Sequence, residues 1–281
     1  MTALFLTILC STSIALILKQ NDSRDGEPVV LLAGNYFVAA LIGGLFLISE
    51  EVLYFSYQTL FFGLFLGFLF VISFFAFARA VRAAGTAMAT VSSRLSVFVP
   101  VFLSILFFRE MPSIWQIFGF LFTGITIILF YFSLRNHREK RLGWPDYLYL
   151  IGVLAGIGIN DFCMKVFHHW HGEKEKPLFL FIIFLSAFLY TLSFVLVKRI
   201  QSDHGTKMLG GLLGIPNIFS SYFILSALAV LPGIIVYPVT NIGIILLTSF
   251  AAFLIWKEPV NKLGRWSLLT GIVSIVLLTI K

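Results

Sequence analysis

The stretch Gly63-Leu-Phe-Leu-Gly67 lies inside one long apolar run, and 147 residues later the chain reads Gly210-Gly-Leu-Leu-Gly214 inside another. Each stretch places two glycines four residues apart, a spacing that lets helix backbones approach closely in a membrane. Such pairs are common in apolar helices, so the spacing alone carries little weight. The matching position of the two pairs within their runs indicates instead that a segment has been duplicated.

Other residues recur at nearly the same offset. The matched pairs, 146 to 148 residues apart, are Lys19 and Lys165, Glu110 and Glu258, Pro112 and Pro259, and Gly124 and Gly271. A near-constant offset with slips of one residue is typical of two copies that have since gained small insertions and deletions. We therefore predict a first repeat over 1–134, a basic connecting loop over 135–146 and a second repeat over 147–281.

The composition of the chain is that of a membrane protein. Of its 281 residues, 59% are hydrophobic and 12% are charged, and the mean hydropathy is +0.98. Soluble domains carry about 25% charged residues, so a water-soluble fold is excluded. The net charge of +7 lies mainly in short loops, where basic residues can contact the anionic headgroups of membrane lipids. Nucleic acid is not an expected partner, because no basic stripe with interleaved aromatic residues is present.

Ten apolar runs have about the 20 residues needed to span a bilayer. They lie at about 2–18, 29–48, 57–78, 86–108, 114–134, 147–166, 177–197, 208–230, 235–256 and 264–280. The predicted fold class is an all-α polytopic membrane protein with five spans in each repeat. Because five is odd, we expect two inverted five-helix repeats, an arrangement typical of transporters whose site lies between the halves.

Three prolines, Pro100, Pro216 and Pro238, fall inside predicted spans. Proline removes a helical hydrogen bond and kinks the helix. The freed carbonyl groups are tolerated in a membrane where they are buried in protein or line a cavity, and both interpretations stay open. The glycine pairs likewise fit static helix packing as well as a seam that slides.

A shared motif closes the fourth span of each repeat. Its first copy is Arg109-Glu110-Met-Pro112 followed by Gly119 and Gly124, and its second copy is Lys257-Glu258-Pro259 followed by Gly264 and Gly271. Together with Lys19 and Lys165, which end the first span of each repeat, this order resembles the EamA-like transporter family of the drug/metabolite transporter (DMT) superfamily. The resemblance covers nearly the whole chain.

The resemblance implies a secondary transporter of the bacterial inner membrane, in many cases an exporter of amino acids or other metabolites. It also implies a central cavity lined largely by spans one, three, four, six, eight and nine. The loop 49–56 departs from the family, since it is acidic where members often carry basic residues. Lys and Arg are concentrated in the odd-numbered loops, which by the positive-inside rule would place both termini outside, opposite to the family pattern.

Arg94 lies close to the middle of the fourth span, in Val91-Ser-Ser-Arg-Leu-Ser96. A charge at the centre of a spanning helix costs about 2.5–3.5 kcal/mol on insertion scales, so it is usually functional or paired. Arg94 is therefore a candidate to bind a substrate carboxylate or phosphate. The alternative is a structural ion pair, or a contact with backbone carbonyl groups.

Asp161 lies inside the sixth span and is the candidate proton-coupling residue, with protons as the candidate coupling ion. The alternative is a pair with Lys165, four residues later on the same helix face. A direct bridge between Asp161 and Arg94 is not expected, because the two backbones should lie about 12 Å apart along the membrane normal.

Further polar residues inside the spans are candidates for contact with a small-molecule substrate. They are Ser93, Asn160, Asn217, Tyr222, Thr240, Asn241, Asn35 and Tyr36. Polar side chains in membrane helices often only join one helix to another, so we expect fewer than half of them to touch substrate.

No catalytic or cofactor motif is visible, so we expect neither an enzyme nor a bound cofactor. His168, His169 and His171 cluster after the sixth span, but their spacing matches no known metal motif, and no metal site is predicted.

The expected function is secondary active transport of small polar metabolites, such as amino acids or related organic anions and zwitterions, by alternating access around a midplane cavity. The alternatives are a lipid or nucleotide-sugar translocator, a lipid-modifying membrane enzyme, and a membrane scaffold that does not transport.

Overall fold

The computed structural model describes residues 1–50, 54–134, 143–171, 173–257 and 261–280. These residues form eleven α-helices. In chain order they are α1 (Thr2–Asp22), α2 (Pro28–Ile48), α3 (Tyr57–Ala84), α4 (Thr86–Leu95), α5 (Phe98–Phe108), α6 (Ile114–Leu134), α7 (Trp144–His171), α8 (Lys176–Lys198), α9 (His204–Leu228), α10 (Gly233–Trp256) and α11 (Lys262–Thr279).

The described helices contain ten stretches that are long and apolar enough to cross a membrane. The predicted all-helical class and the predicted number of spans are therefore confirmed. The fourth span, Met88–Phe108, combines α4 and α5. Many large apolar side chains are exposed, including Phe61 at 67% and Leu121 at 58% of their surface. Such exposure is expected where lipid replaces water as the solvent.

The fourth span is interrupted at Ser96 and Val97, just before Pro100. Pro100 has no N–H group to donate to the carbonyl of Ser96, four residues earlier. That carbonyl instead accepts a hydrogen bond from the N–H of Val99 at 3.0 Å, which gives a tighter turn. The interruption expected at Pro100 is thus present, whereas α9 and α10 continue through Pro216 and Pro238.

The fourth and ninth spans end in the same way. Arg109 and Lys257 lie 148 residues apart, and both adopt the left-handed backbone conformation, with φ of 52° and 54°. This conformation is a common signal for the end of a helix. The second copy of the motif continues into Glu258 and Pro259, which lie outside the described residues.

The Glu110 carboxylate caps the N-terminus of α10. Its two oxygens accept hydrogen bonds from the backbone N–H groups of Gly233 at 3.1 Å and Ile234 at 3.0 Å. The first N–H groups of a helix have no partner within the helix and carry a partial positive charge, so a carboxylate is stabilising there. The motif predicted from sequence therefore has a structural role at Glu110.

The described helices group into two compact units. Unit 1 comprises Met1–Val71 and Cys163–Ala229, and unit 2 comprises Ile72–Phe162 and Val230–Lys281. Each unit contains helices from both predicted repeats. The repeat boundaries at 134 and 147 stay a prediction, and most of the predicted connecting loop, 135–142, lies outside the described residues.

In unit 1, α2 packs against both α8 and α9, and α9 also packs against α1. The repeated glycines lie at close backbone contacts. A Cβ atom on Gly214 would come within 2.5 Å of the carbonyl oxygen of Asn35, and one on Gly67 within 2.7 Å of the carbonyl oxygen of Ile183. Asn35 and Ile183 are themselves 148 residues apart. Equivalent glycines therefore contact equivalent partners.

In unit 2, several hydrogen bonds join α6 to α11, and in two of them a serine of α11 donates to a backbone carbonyl of α6. The Ser274 hydroxyl donates to the carbonyl of Gly119 at 2.9 Å, and the Ser267 hydroxyl donates to the carbonyl of Thr126 at 3.0 Å. Residue numbers rise along α6 while they fall along α11, so the two helices are antiparallel. Gly119 and Thr126 precede Ser267 and Ser274 by 148 residues, so each bond is the counterpart of the other.

Candidate functional site

Unit 2 contains a group of polar side chains among its apolar helices, which we call the polar cluster. It consists of Ser73 from α3, Arg94 from α4, Asn160 and Asp161 from α7, and Tyr237, Thr240 and Asn241 from α10. Most of these residues are buried, and Arg94 and Asp161 are partly buried. Of the residues predicted from sequence, Arg94 and Asn241 contact each other directly, and Asp161 contacts Tyr237 of α10. Asn160 contacts Ser73, and Thr240 is buried next to Asn241 in the chain.

Arg94 and Asn241 contact each other within the polar cluster. The Arg94 Nη1 group donates to Asn241 Oδ1 at 3.5 Å, a long hydrogen bond. The Asn241 Nδ2 group donates to the carbonyl of Tyr237 at 3.2 Å, which turns the amide oxygen toward Arg94. Arg94 and Asn241 lie 147 residues apart, the same offset that relates the two glycine stretches. Equivalent positions of the fourth and ninth spans therefore meet at this point.

The Arg94 guanidinium retains unused hydrogen-bonding capacity. Its Nε atom is buried and has no hydrogen-bond partner among the described residues. An arginine side chain carries five N–H donors and stays charged in proteins. A buried donor without a partner costs about 1–3 kcal/mol. Arg94 can therefore gain stability from an additional acceptor, most of all from a carboxylate or phosphate.

Two uncharged side chains of the polar cluster also contain a buried oxygen without a hydrogen-bond partner in the described part of the chain. Asn160 Oδ1 and Thr240 Oγ1 are buried without a hydrogen-bond partner among the described residues. The other end of the Asn160 amide is bound, since its Nδ2 group donates to the Ser73 hydroxyl at 3.1 Å. The Asn160 and Thr240 oxygens, like Arg94 Nε, therefore retain hydrogen-bonding capacity.

Asp161 and Arg94 interact electrostatically, and the contacts of the described residues include no direct ion pair between them. This agrees with the expectation that the two residues do not form a bridge. The backbone carbonyl of Asp161 accepts a hydrogen bond from the Tyr237 hydroxyl at 2.6 Å, which joins α7 to α10. This bond fixes the backbone of α7 at Asp161 against α10.

The remaining predicted residues lie outside this set of contacts. Ser93 precedes Arg94, and its carbonyl accepts a hydrogen bond from Ser96 Oγ at 2.6 Å. In unit 1, Asn217 Nδ2 donates to Asn35 Oδ1 at 3.0 Å, which joins α9 to α2. The contacts of Ser93, Asn35 and Asn217 have structural explanations, and their role in substrate binding stays a prediction.

The two predicted tyrosines also lie in unit 1. The Tyr36 ring packs against Phe184, with 6.4 Å between the ring centroids. The Tyr222 ring lies under the ammonium group of Lys176, which is 3.7 Å from the ring centroid. Tyr36 thus belongs to the packed interior of unit 1, and Tyr222 belongs to a separate group of charged and aromatic residues.

Sequence reasoning missed three residues of these clusters: Ser73, Tyr237 and Lys176. Ser73 is one of several serines in apolar runs, and no sequence pattern singles it out. Tyr237 precedes Pro238 and lies three residues before Thr240, on the same helix. Lys176 resembles an ordinary loop lysine at the start of a span, and no sequence pattern marks it.

The histidines after the sixth span make no recognisable metal site. His168 Nδ1 lies 4.0 Å from Glu173 Oε1, a contact typical of a weak surface pair. A search of the described residues found no group of three His, Cys, Asp or Glu side chains suited to hold a metal ion. The side chain of His171 lies outside the described part of the chain.

Comparison with known proteins supports the fold. No protein-family model matches the chain. The chain is 28% identical over 274 residues to an uncharacterized protein of Haemophilus influenzae. The matched region covers 93% of this chain and 91% of that protein. A crystal structure of another protein matches with a TM-score of 0.82 at 13% identity, over 99% of this chain and 95% of that chain. This arrangement of ten apolar helices is therefore a known fold, and the chain is a multi-pass membrane protein.

Proposed function

We propose that the protein is a secondary active transporter of small polar metabolites, such as amino acids or related organic anions and zwitterions. We assign it to the EamA-like family of the DMT superfamily, and we place it in the bacterial inner membrane as an exporter. The observation that carries the proposal is the contact of Arg94 with Asn241. A partly buried guanidinium with unused donors lies where equivalent positions of the two repeats meet.

The antiparallel contact of α6 with α11 supports the inverted repeat. Gly119 contacts Ser274 and Thr126 contacts Ser267. At the repeat offset of 148 residues, Gly119 corresponds to Ser267 and Thr126 corresponds to Ser274. If two copies of one segment run in opposite directions, the repeats that contain them are inserted in opposite orientations. Such repeats place substrate sites near the bilayer midplane and permit alternating access.

Arg94 is the proposed binding residue for an anionic group of the substrate. Arginine forms two parallel charge-assisted hydrogen bonds with carboxylate or phosphate, and these are about twice as strong as neutral ones. The Asn160 and Thr240 oxygens provide hydrogen-bonding capacity for a polar or amino group. An amino acid or a small organic anion matches this set of groups.

Asp161 is the proposed coupling residue. An ionised Asp161 competes with an anionic substrate for the charge of Arg94, since the two residues already interact. Protonation of Asp161 removes that competition. A proton and a substrate anion would therefore bind together and cross the membrane in the same direction, so that export would be driven by the outward gradient of the substrate.

The test is a ligand screen followed by a flux measurement. Purified protein is heated in the presence of individual carboxylates, phosphates and amino acids, because a ligand of the folded state raises apparent stability by about 2.7 kcal/mol at 100 times its Kd. Compounds that stabilise the protein are then assayed in proteoliposomes. The proposal predicts saturable flux of at least one of them. Stabilising ligands that are never transported would contradict it.

A pH gradient tests the role of Asp161. Flux of the same compound should rise when protons are supplied on the side of the substrate, and Asp161→Asn should remove this dependence. A pH dependence that persists in Asp161→Asn would exclude Asp161 as the coupling residue while leaving the transport proposal intact.

A further inference from the structure

Unit 1 contains a pocket that the proposed transport site does not use. Its volume is about 420 Å³. The end of α2, the start of α8 and the later part of α9 line it. Among its lining residues are Phe46, Glu50, Glu173, Lys176, Phe219 and Tyr222.

One wall of the pocket is organised around Lys176. This lysine is only 2% exposed, and its ammonium group donates to Glu173 Oε2 at 2.9 Å and to Ser226 Oγ at 2.5 Å. The ammonium group also lies 3.7 Å from the centroid of the Tyr222 ring. A buried ammonium is stable only where its charge and its donors are compensated, and these three groups use the three donors of Lys176. The charge of Lys176 is therefore neutralised inside the wall.

The pocket is rich in aromatic surface. The Phe46 ring lies 5.5 Å from Tyr222 and 5.8 Å from Phe219, and Phe219 lies 6.0 Å from Phe223, measured between ring centroids. The faces of aromatic rings attract cations, with an energy of about 0.5–2 kcal/mol depending on desolvation. The contact of Lys176 with Tyr222 shows that these rings accept an ammonium group.

The charges of the lining residues also favour a cation. Glu50 and Glu173 are carboxylates, and Lys176 is the one cation among the described lining residues. Glu50 is exposed, and the Glu173 side chain is 53% exposed. Since Glu173 balances the charge of Lys176, the remaining negative charge of the pocket is that of Glu50.

The position of the pocket suggests where its ligand comes from. The span of α2 ends at Ile48 and the span of α8 begins at Lys176, so the pocket lies at the ends of membrane spans. Helix ends lie at the level of the lipid headgroups. A ligand at this level can place a polar group against the carboxylates and an apolar part against the phenylalanine rings.

We propose that this pocket binds a primary ammonium group at the membrane surface, as presented by the headgroup of phosphatidylethanolamine. The ammonium group donates hydrogen bonds to the Glu50 carboxylate and to Glu173 Oε1, the oxygen that Lys176 does not bind, and it lies against the ring of Phe46. A free amine has the same chemistry, so the experiment includes both sources. The inference does not depend on the transport proposal.

The experiment compares lipids that differ only in the headgroup amine. Purified full-length protein is mixed with phosphatidylethanolamine or phosphatidylcholine of the same acyl chains, and the bound fraction is measured by native mass spectrometry. Phosphatidylethanolamine should bind at least threefold more than phosphatidylcholine. Glu50→Gln should lose this preference, whereas Asp22→Asn, which changes an exposed carboxylate at the end of α1, should retain it.

The stability of each variant is measured without lipid, so that a folding defect is separated from a binding defect. Competition by free ethanolamine would show that the site also takes soluble amines and would support the ammonium assignment. Equal binding of the two lipids would overturn the proposal, as would an unchanged preference in a folded Glu50→Gln.

Discussion

Ser220 in unit 1 and Ser73 in unit 2 occupy equivalent positions, 147 residues apart, and their partners differ. The Ser220 hydroxyl shares a hydrogen bond of 2.7 Å with the hydroxyl of Ser11, so that α9 and α1 are joined by two small neutral groups. The Ser73 hydroxyl accepts from the amide of Asn160 at 3.1 Å, and Asn160 is followed by the carboxylate of Asp161. Both serines join the third span of one repeat to the first span of the other.

If the two repeats are copies of one segment, as the sequence predicts, this difference would show how one copy of a contact can become part of a site while the other does not. The backbone contact is retained in both units, because it depends on small residues and helix packing. The side chains have diverged. In unit 1 two hydroxyl groups satisfy each other, whereas in unit 2 the same place carries an amide with a free buried oxygen beside a charged pair. Polar groups that no contact within the fold explains make this part of unit 2 the candidate region for function.

The largest expected effect is the loss of Arg94. Arg94→Gln removes the charge that would bind an anionic substrate, and hydrogen bonds to charged groups contribute about 1.5–3 kcal/mol. Since about 1.4 kcal/mol is a factor of ten, flux in proteoliposomes should fall at least tenfold. Arg82→Gln is the matched control, because Arg82 is exposed at the end of α3 in the same unit. Wild-type flux in a folded Arg94→Gln would remove Arg94 from the site.

The next effect concerns the scaffold of unit 1. A Cβ atom on Gly210 would come within 2.5 Å of the carbonyl oxygen of Leu31, whereas a Cβ atom on Gly211 would make an ordinary contact at 3.7 Å. Gly210→Ala should therefore destabilise the protein by about 1–3 kcal/mol, the usual cost of overpacking. Gly211→Ala should have little effect. Thermal unfolding in one detergent compares the two variants, and equal melting temperatures would show that the close approach is not needed.

A smaller difference in flux is expected between variants of the equivalent serines Ser73 and Ser220. Ser73→Ala and Ser220→Ala each remove one hydroxyl, so both should lose about 1 kcal/mol of stability. Their effects on flux should differ. Ser73→Ala frees the Asn160 amide within the polar cluster and should reduce flux several-fold, while Ser220→Ala should leave flux near the wild-type value. Equal flux in the two variants would contradict a functional difference between the units.

The smallest effect lies outside the spans, at Asp203. Its carboxylate accepts hydrogen bonds from the hydroxyl and the backbone N–H of Thr206 at the start of α9, and these bonds lower the pKa of Asp203. A lowered pKa in the folded state stabilises the protein above the ordinary pKa of about 3.9, and the gain is lost as the pH falls through the folded value. The melting temperatures of wild type and Asp203→Asn should therefore converge as the pH falls below about 4, the ordinary pKa of an aspartate. A constant difference would exclude a contribution from the ionised side chain.

The sequence predicts the span number and the duplication, because both depend on hydropathy and on residue order. It also predicts that Arg94 and Asn241 are equivalent, but not that they touch. Equivalence follows from the offset, whereas contact depends on where the two repeats meet in space. Lys176 illustrates the same limit. Its burial depends on Ser226 and Tyr222, which lie about 50 residues further along the chain.

The inverted duplication is tested most directly by labelling two equivalent positions at helix starts. Tyr57 and His204 lie 147 residues apart, and both are exposed. Each is replaced by cysteine in a chain with Cys10→Ser and Cys163→Ser, and intact cells are treated with a membrane-impermeant maleimide. The account predicts that one position reacts in intact cells and the other only after permeabilisation. Reaction of both positions from the same side of the membrane would contradict it.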